Sequence, residues 1–525
     1  MWRQRVIQSI KTAEPPFDVV VIGGGATGLG IAVDSASRGY STVLFERDDF
    51  AKGTSSRSTK LAHGGVRYLA QGNIRLVMEA LKERGLMRQN APALVRDLPF
   101  IVPAYHWWEI PFYLIGLKLY DLLAGKRSLG KSSYLSASAV LEKIPSIQQK
   151  GLKGGIVYYD GQFDDSRMAV TLAKTAEQYG ALVVNYAEPI RIQKNADNDE
   201  FELTVRNHIS GEALSISAKS VFNATGVFVD GIPQIEPNSR QRLIAPSRGA
   251  HIVVDRRFLS GHHGLMIPKT ADGRVLFTIP WYGKALIGTT DTPVENVEKE
   301  PQPSEEEIQF ILDTARRYMN PAPGWEDIRS VFAGLRPLAA PQNSGQKTKE
   351  ISRGHRILVM DDQTIAIIGG KWTTYRQMAE DALDQAIAIG RLPERACKSE
   401  NLELWVSEID RKYGLGVECR IKPGMTREEE DIVNRSRDGQ LIPGYPWTEG
   451  DVRYMIREEY AMTIEDLLSR RMRILVLDVD EAIRIAPQIS EILENELGAE
   501  QYNKTNDLKQ FLDLAKNYRW KSSDF

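Results

Sequence analysis

Residues 17–46 read FDVVVIGGGATGLGIAVDSASRGYSTVLFE: an apolar strand, a turn with glycines at Gly23, Gly25 and Gly28, an amphipathic helix, and a second strand that ends on Glu46. This is the pattern of a dinucleotide site, and each part has a physical reason. Gly23 permits the tight turn, Gly25 lets backbone approach a pyrophosphate, and Gly28 lets helix and strand pack closely. Phosphates then sit at the helix N-terminus, beside Thr27, where unpaired N–H groups and the helix dipole favour negative charge. Glu46 follows Gly28 by 18 residues. That offset places a carboxylate on an adenosine ribose, where it would repel a 2′-phosphate. A plain glycine-rich turn is the alternative, and strand, helix and acid in register argue against it.

Composition sets the outer limits. A chain of 525 residues that is 42% hydrophobic can bury several cores, with room for roughly two to four domains. Lys and Arg number 67 against 69 acids, so no electrostatic footprint for nucleic acid is present. Two cysteines, Cys397 and Cys419, are too few for a disulfide framework and lack metal-ligand spacing. No metal site is expected, and the compartment is expected to be reducing, hence cytoplasmic. The N-terminal run MWRQRVIQSIKTAEPP has no apolar core of the signal-peptide kind. The most apolar stretch, Trp107 to Ala124, is interrupted by Glu109, Lys118 and Asp121, which argues against a spanning helix. Its apolar residues fall on two faces, Phe112, Ile115, Leu119 and Leu122 on one and Tyr113, Leu117 and Tyr120 on the other, with Lys118 and Lys126 nearby. Such a helix reads as a buried inter-domain element, while aromatics beside cations also suit a membrane surface.

Further along, the chain returns to the nucleotide fold. Asp165 reads as an N-cap for a helix running to Gly180, and LVVN at 182–185 as a strand. Segments 201–206 and 214–218 alternate apolar and polar residues around Ser210 and Gly211, as in a β-meander. The next apolar piece, Val221 and Phe222, opens into Asn223, Ala224, Thr225 and Gly226, a small-residue turn that lets backbone pass close to a nucleotide. A meander followed by a second close-approach turn suits FAD better than NAD. Beyond Gly390 the pattern turns charge-rich and helical from Asp431 onward, notably at Glu449–Leu468 and Asp480–Leu497, punctuated by Pro446 and Gly498. Its basic run Arg470, Arg471 and Arg473 reads as a solvated helix face.

Four blocks carry a resemblance. They are GTSSRSTKLAHGGVRYL at 53–69, GAHIVV at 249–254, GLRPL at 334–338 and GGKWTTYR at 369–376. Together they resemble the FAD-dependent, quinone-linked glycerol-3-phosphate dehydrogenases, whose flavin loop reads TSS, SSKL, HGG and RYL. The match runs in order from Phe17 to about Arg376, and only 339–352 departs from it. The resemblance implies an α/β protein with a Rossmann-like FAD-binding domain of discontinuous segments (17–90, 150–235 and 355–395), an antiparallel-sheet substrate domain (91–149 and 236–354), and a helical C-terminal domain (396–525). It implies FAD held without a covalent bond, by the glycine turn, by Thr54, Ser55, Ser56, Lys60, Leu61, His63, Gly64 and Gly65, by Ala224, Thr225 and Gly226, and by Gly370, Lys371 and Thr373.

The substrate set implied by the resemblance is Arg67, Tyr68, His251, Arg336, Arg353 and Lys371. A phosphate leaving water needs several cationic donors, and the planar fork of Arg binds two oxygens at once. The implied chemistry is hydride transfer from C2 of sn-glycerol 3-phosphate to the flavin, giving dihydroxyacetone phosphate. His251 takes the hydroxyl proton, with His63 as second candidate, and Arg336 stabilises the developing alkoxide. Electrons are expected to pass to a membrane quinone from a peripheral position on the inner face of the cell membrane, and the family admits a homodimer. The alternatives are an oxidase that uses O₂ and a non-catalytic flavin-binding sensor.

Overall fold

The structure, a computed structural model, describes residues 2–70, 72–231, 242–270, 273–340, 354–414, 440–442 and 445–520. The strand Phe17–Ile22 lies inside an eight-stranded sheet. It pairs in parallel with Thr42–Phe45 on one side and Ala213–Asn223 on the other. Leu182–Val184 and Ile365–Gly369 extend the parallel core outward, and His355–Val359 closes that second edge antiparallel. The meander is Ala187–Lys194, Phe201–Asn207 and the first part of Ala213–Asn223. The last meander strand and the apolar piece that opens into the close-approach turn are therefore one strand, Ala213–Asn223, which the sequence divides because Lys219 and Ser220 interrupt its apolar pattern. Five of the six residues of the 17–22 strand are buried, Asp18 being the exception, as a parallel sheet covered on both sides requires.

The glycine turn has the expected form. Gly23 sits at φ +108°, a region that only glycine enters without strain. Helix Ala26–Arg38 starts at Gly25, and a Cβ on Gly28 would lie 1.9 Å from the Gly23 carbonyl oxygen. The helix expected from Asp165 starts one residue off the expected cap: Asp164 is the N-cap, accepting from the Ser166 and Arg167 N–H groups at 3.0 Å each. Asp165 is the first helical residue, and its carboxylate turns into the interior.

The second sheet has ten strands and holds the 249–254 and 334–336 blocks on the paired strands Ser247–Asp255 and Ile328–Arg336. It is antiparallel except where Gly264–Ile267 meets Val95–Ala104. Leu61–Ala62, in the flavin loop, and Gly154–Phe163 pair within this sheet, so the loop bridges the two sheets.

Three expectations are overturned. Arg470, Arg471 and Arg473 do not form a solvated face; all three are buried. Arg470 and Arg471 both bind Asp49, and Arg473 binds Asp165 at 2.8 Å. The reason is tertiary: Asp49 and Asp165 are fully buried carboxylates of the first sheet's layer, and a buried charge without a partner is strongly destabilising. Local periodicity carries no record of them. The helix expected over 449–468 also ends at Glu458, before Tyr460 at φ +63°, and the chain re-forms a wider π-type turn at Asp466–Arg471. Asp431 lies outside the described residues.

Nor is Trp107–Ala124 a buried inter-domain element. Leu117 and Tyr120 of helix Glu109–Ala124 face inward, but Phe112, Ile115, Leu119 and Leu122 are exposed, Ile115 at 70% and Leu122 at 74%. Trp107 and Trp108 continue this face, with Lys118, Lys126 and Arg127 exposed nearby. Among the described residues no helix is long and apolar enough to cross a membrane.

Candidate active site

Two clefts meet at the flavin loop. The first is lined by Gly23, Gly25, Thr27, Glu46, Thr54, Ser55, Ala224, Thr225, Gly226, Gly370 and Lys371. Glu46 closes the glycine turn: one carboxylate oxygen accepts from the Gly24 N–H at 2.7 Å and the other from the Asp48 N–H at 2.8 Å. Burial pushes its pKa up despite those bonds. The Ser55 hydroxyl accepts from the Ala26 N–H at 2.9 Å, which ties the flavin loop to the helix N-terminus. The cleft is cut close to backbone, since a Cβ on Gly23 would meet the Ala224 carbonyl at 2.7 Å and one on Gly25 the Ser55 hydroxyl at 3.0 Å. A helix N-terminus, bare backbone and a half-buried acid at the far side fit the pyrophosphate and ribose of FAD.

The second cleft is lined by Thr54, Leu61, His63, Gly65, Tyr68, His251, Arg336, Gly370, Lys371 and Thr373, and it shares Thr54, Gly370 and Lys371 with the first. The flavin-loop, 249–254, 334–338 and 369–376 blocks thus converge. Arg336 is fixed by neighbours, its Nη2 donating to Thr289 Oγ1 at 3.1 Å and to the Thr290 carbonyl at 3.0 Å, with Asp291 3.3 Å from Nη1. Lys371 Nζ stands 4.2 Å above the Tyr68 ring. His251 is buried, stacked on Phe332 with centroids 4.8 Å apart, and its Nε2 is 2.9 Å from the Thr59 hydroxyl. Burial, then the positive charges of Lys60 and Arg336, hold its pKa well below 6.5, so the ring is neutral at pH 7 and able to accept a proton.

Other candidates are placed elsewhere. Lys60 lines neither cleft: its buried Nζ donates to the Ser56 carbonyl and to Asp165, both at 2.7 Å. Burial, against the attraction of Asp165, brings its pKa down to about 8. Ser56 and Gly64 also lie behind the cleft walls, the Gly64 N–H donating to the Tyr120 hydroxyl, which donates to Asp160. Gly28 serves helix packing. Arg67 lies on the short helix Val66–Ala70, its side chain outside the described residues, and Arg353 lies outside them entirely.

Sequence reasoning missed Thr59, Arg274 and the Thr289–Asp291 segment, all lining the second cleft. Thr59 sits in a quoted block, so its neighbours were a usable signal. Arg274, in the polar stretch TADGR, offers no local pattern that separates it from a surface cation.

Residues 18–376 match the FAD-dependent oxidoreductase family, and residues 363–504 match the C-terminal domain of alpha-glycerophosphate oxidase. The chain is 39% identical to the mitochondrial glycerol-3-phosphate dehydrogenase of Arabidopsis thaliana, over 96% of this chain and 87% of that protein. It is equally 39% identical to the human mitochondrial enzyme of that name, over 96% of this chain and 74% of that one. Among solved structures, the glycerol-3-phosphate dehydrogenase of Bacillus halodurans complexed with FAD superimposes with a TM-score of 0.73 at 25% identity, covering 98% of this chain and 97% of that one. With the two joined clefts and the four blocks that line them, these matches establish that the chain belongs to the FAD-dependent glycerol-3-phosphate dehydrogenases.

Proposed function

We propose that the protein oxidises sn-glycerol 3-phosphate to dihydroxyacetone phosphate. The observation that carries this reading is the continuity of the two clefts, one fitted to FAD and the other lined by Arg336, Lys371, Arg274 and a neutral histidine. FAD, when bound, supplies the acceptor for the C2 hydride. The protein's own residues do the rest. Arg336, held by Thr289, Thr290 and Asp291, presents a fixed guanidinium to an anionic substrate, and Lys371, Arg274 and Tyr68 add donors on the other walls. Arg67 and Arg353 complete the proposed cation set. His251 is the proposed destination of the hydroxyl proton.

The test is anaerobic addition of glycerol 3-phosphate to the yellow protein. Bleaching is expected, and none with glycerol. Arg336→Ala removes a charge-assisted contact and is expected to lower kcat/KM by about 2 to 5 kcal/mol in transition-state terms, with flavin content unchanged. A variant with wild-type kcat/KM would take Arg336 out of the site.

For the electrons' exit we propose a membrane quinone, reached from the membrane surface through helix Glu109–Ala124. Its exposed apolar row, flanked by tryptophans and by Lys118, Lys126 and Arg127, has the composition of an interfacial element. Co-sedimentation with anionic liposomes is expected, weakened when Ile115 and Leu122 are both replaced by Ser. A protein that stays in the supernatant with every lipid and salt, and that reoxidises rapidly with O₂, would favour the oxidase.

A further inference from the structure

His251 is 2% exposed, and Phe332 covers one face of its ring. A Cβ on Gly288 would come within 2.2 Å of His251 Cδ2, so the strand beside it leaves no room on that side. Nδ1 is buried and has no hydrogen-bond partner among the described residues. The ring's one polar outlet among those residues is Nε2, 2.9 Å from Thr59 Oγ1. Thr59 is half-buried and lines the cleft alongside Arg336 and Lys371.

We infer that Thr59 is a catalytic residue that relays the substrate's hydroxyl proton to His251. The C2 hydroxyl gives its proton to Thr59 Oγ1 as Thr59 gives its own proton to His251 Nε2. The electron pair of the breaking C2–H bond leaves as hydride to the bound flavin, the two-electron oxidant, and the C2–O bond becomes a carbonyl. With Nδ1 facing no acceptor, the imidazolium proton returns to solvent by the same hydroxyl once product has left. A hydroxyl suits this position because it donates and accepts at one atom, and Thr59 stands on the cleft wall at the one polar outlet of the His251 ring among the described residues.

The inference rests on the function proposed above. Thr59→Val keeps the shape and removes the hydroxyl. It is expected to retain flavin, to slow anaerobic bleaching by glycerol 3-phosphate by about 10² to 10⁴, and to shift the His251 Nε2 resonance in ¹⁵N-histidine spectra recorded without substrate. Thr59→Ser is expected to recover most of the lost rate and the wild-type resonance. A valine protein that bleaches at the wild-type rate, an unshifted Nε2 resonance in it, or a serine protein as slow as the valine one would each overturn the relay and leave the proposed reaction standing. Wild-type protein that glycerol 3-phosphate does not bleach would overturn both.

Discussion

A His251→Asn protein is expected to bind flavin as the wild type does and to be reduced by glycerol 3-phosphate about 10² to 10⁴ times more slowly, the usual range for a positioned acid–base group. Asparagine occupies similar space but offers no basic nitrogen. A second signature lies in stability. Burial, Lys60 and Arg336 hold the folded-state pKa well below the 6.5 of an ordinary histidine, so below pH 6.5 the unfolded chain takes up a proton that the folded one refuses. The sign follows: this histidine's contribution is fully present above pH 6.5 and is lost as pH falls, by about 1.4 kcal/mol per pH unit until the folded-state pKa is reached. Urea midpoints between pH 7 and pH 5 should fall more steeply in the wild type than in His251→Asn. Equal slopes would mean that His251 is solvated and ionises normally.

The largest structural effect is expected from Asp49→Ala. Burial opposes ionisation of Asp49, yet the guanidiniums of Arg471 and Arg470 outweigh it and hold the carboxyl below its ordinary range. Both Arg471 Nη atoms reach it, at 2.5 and 2.9 Å, and Arg470 Nε at 2.5 Å. Removing it leaves Arg471 fully buried with the Glu459 carbonyl as its remaining hydrogen-bond acceptor among the described residues, a loss of about 3 to 5 kcal/mol against a typical total of about 5 to 15. Because Asp49 lies beside the nucleotide fold and both arginines lie in the C-terminal segment, the two should come apart under milder denaturant. An unchanged urea midpoint would show that the cluster is worth little. Replacing Asp49 and Arg471 together by Leu and Met should recover part of the loss, since an apolar pair leaves no bare charge.

What could be read in the sequence follows from how local each constraint is. Gly23, Gly25, Gly28 and Glu46 answer to neighbours in the same unit, so pattern and conformation agree. The convergence of His251, Arg336 and Lys371 was legible through short blocks, which place His251 mid-strand, Arg336 at a strand end and Lys371 in a turn, all lining one cleft. Lys60 shows the limit. It sits among cleft residues in sequence, but its left-handed backbone at φ +61° and the buried Asp165 draw the ammonium inward. Arg470, Arg471 and Arg473 were misread because their partners lie across the fold. Helix Glu109–Ala124 was ambiguous because apolar residues occur on both its faces, and only packing decides which is inside.

The hydrogen bonds of Glu46 and Ser55 have a consequence for ligand affinity. Both bind backbone N–H groups of the glycine turn, at Gly24 and Ala26, through protein atoms alone. The turn is therefore held in its receptive shape by the chain itself, and an incoming dinucleotide meets a preorganised cradle rather than a loop it must first freeze. Little conformational entropy is lost on association, so more of the contact energy appears as binding.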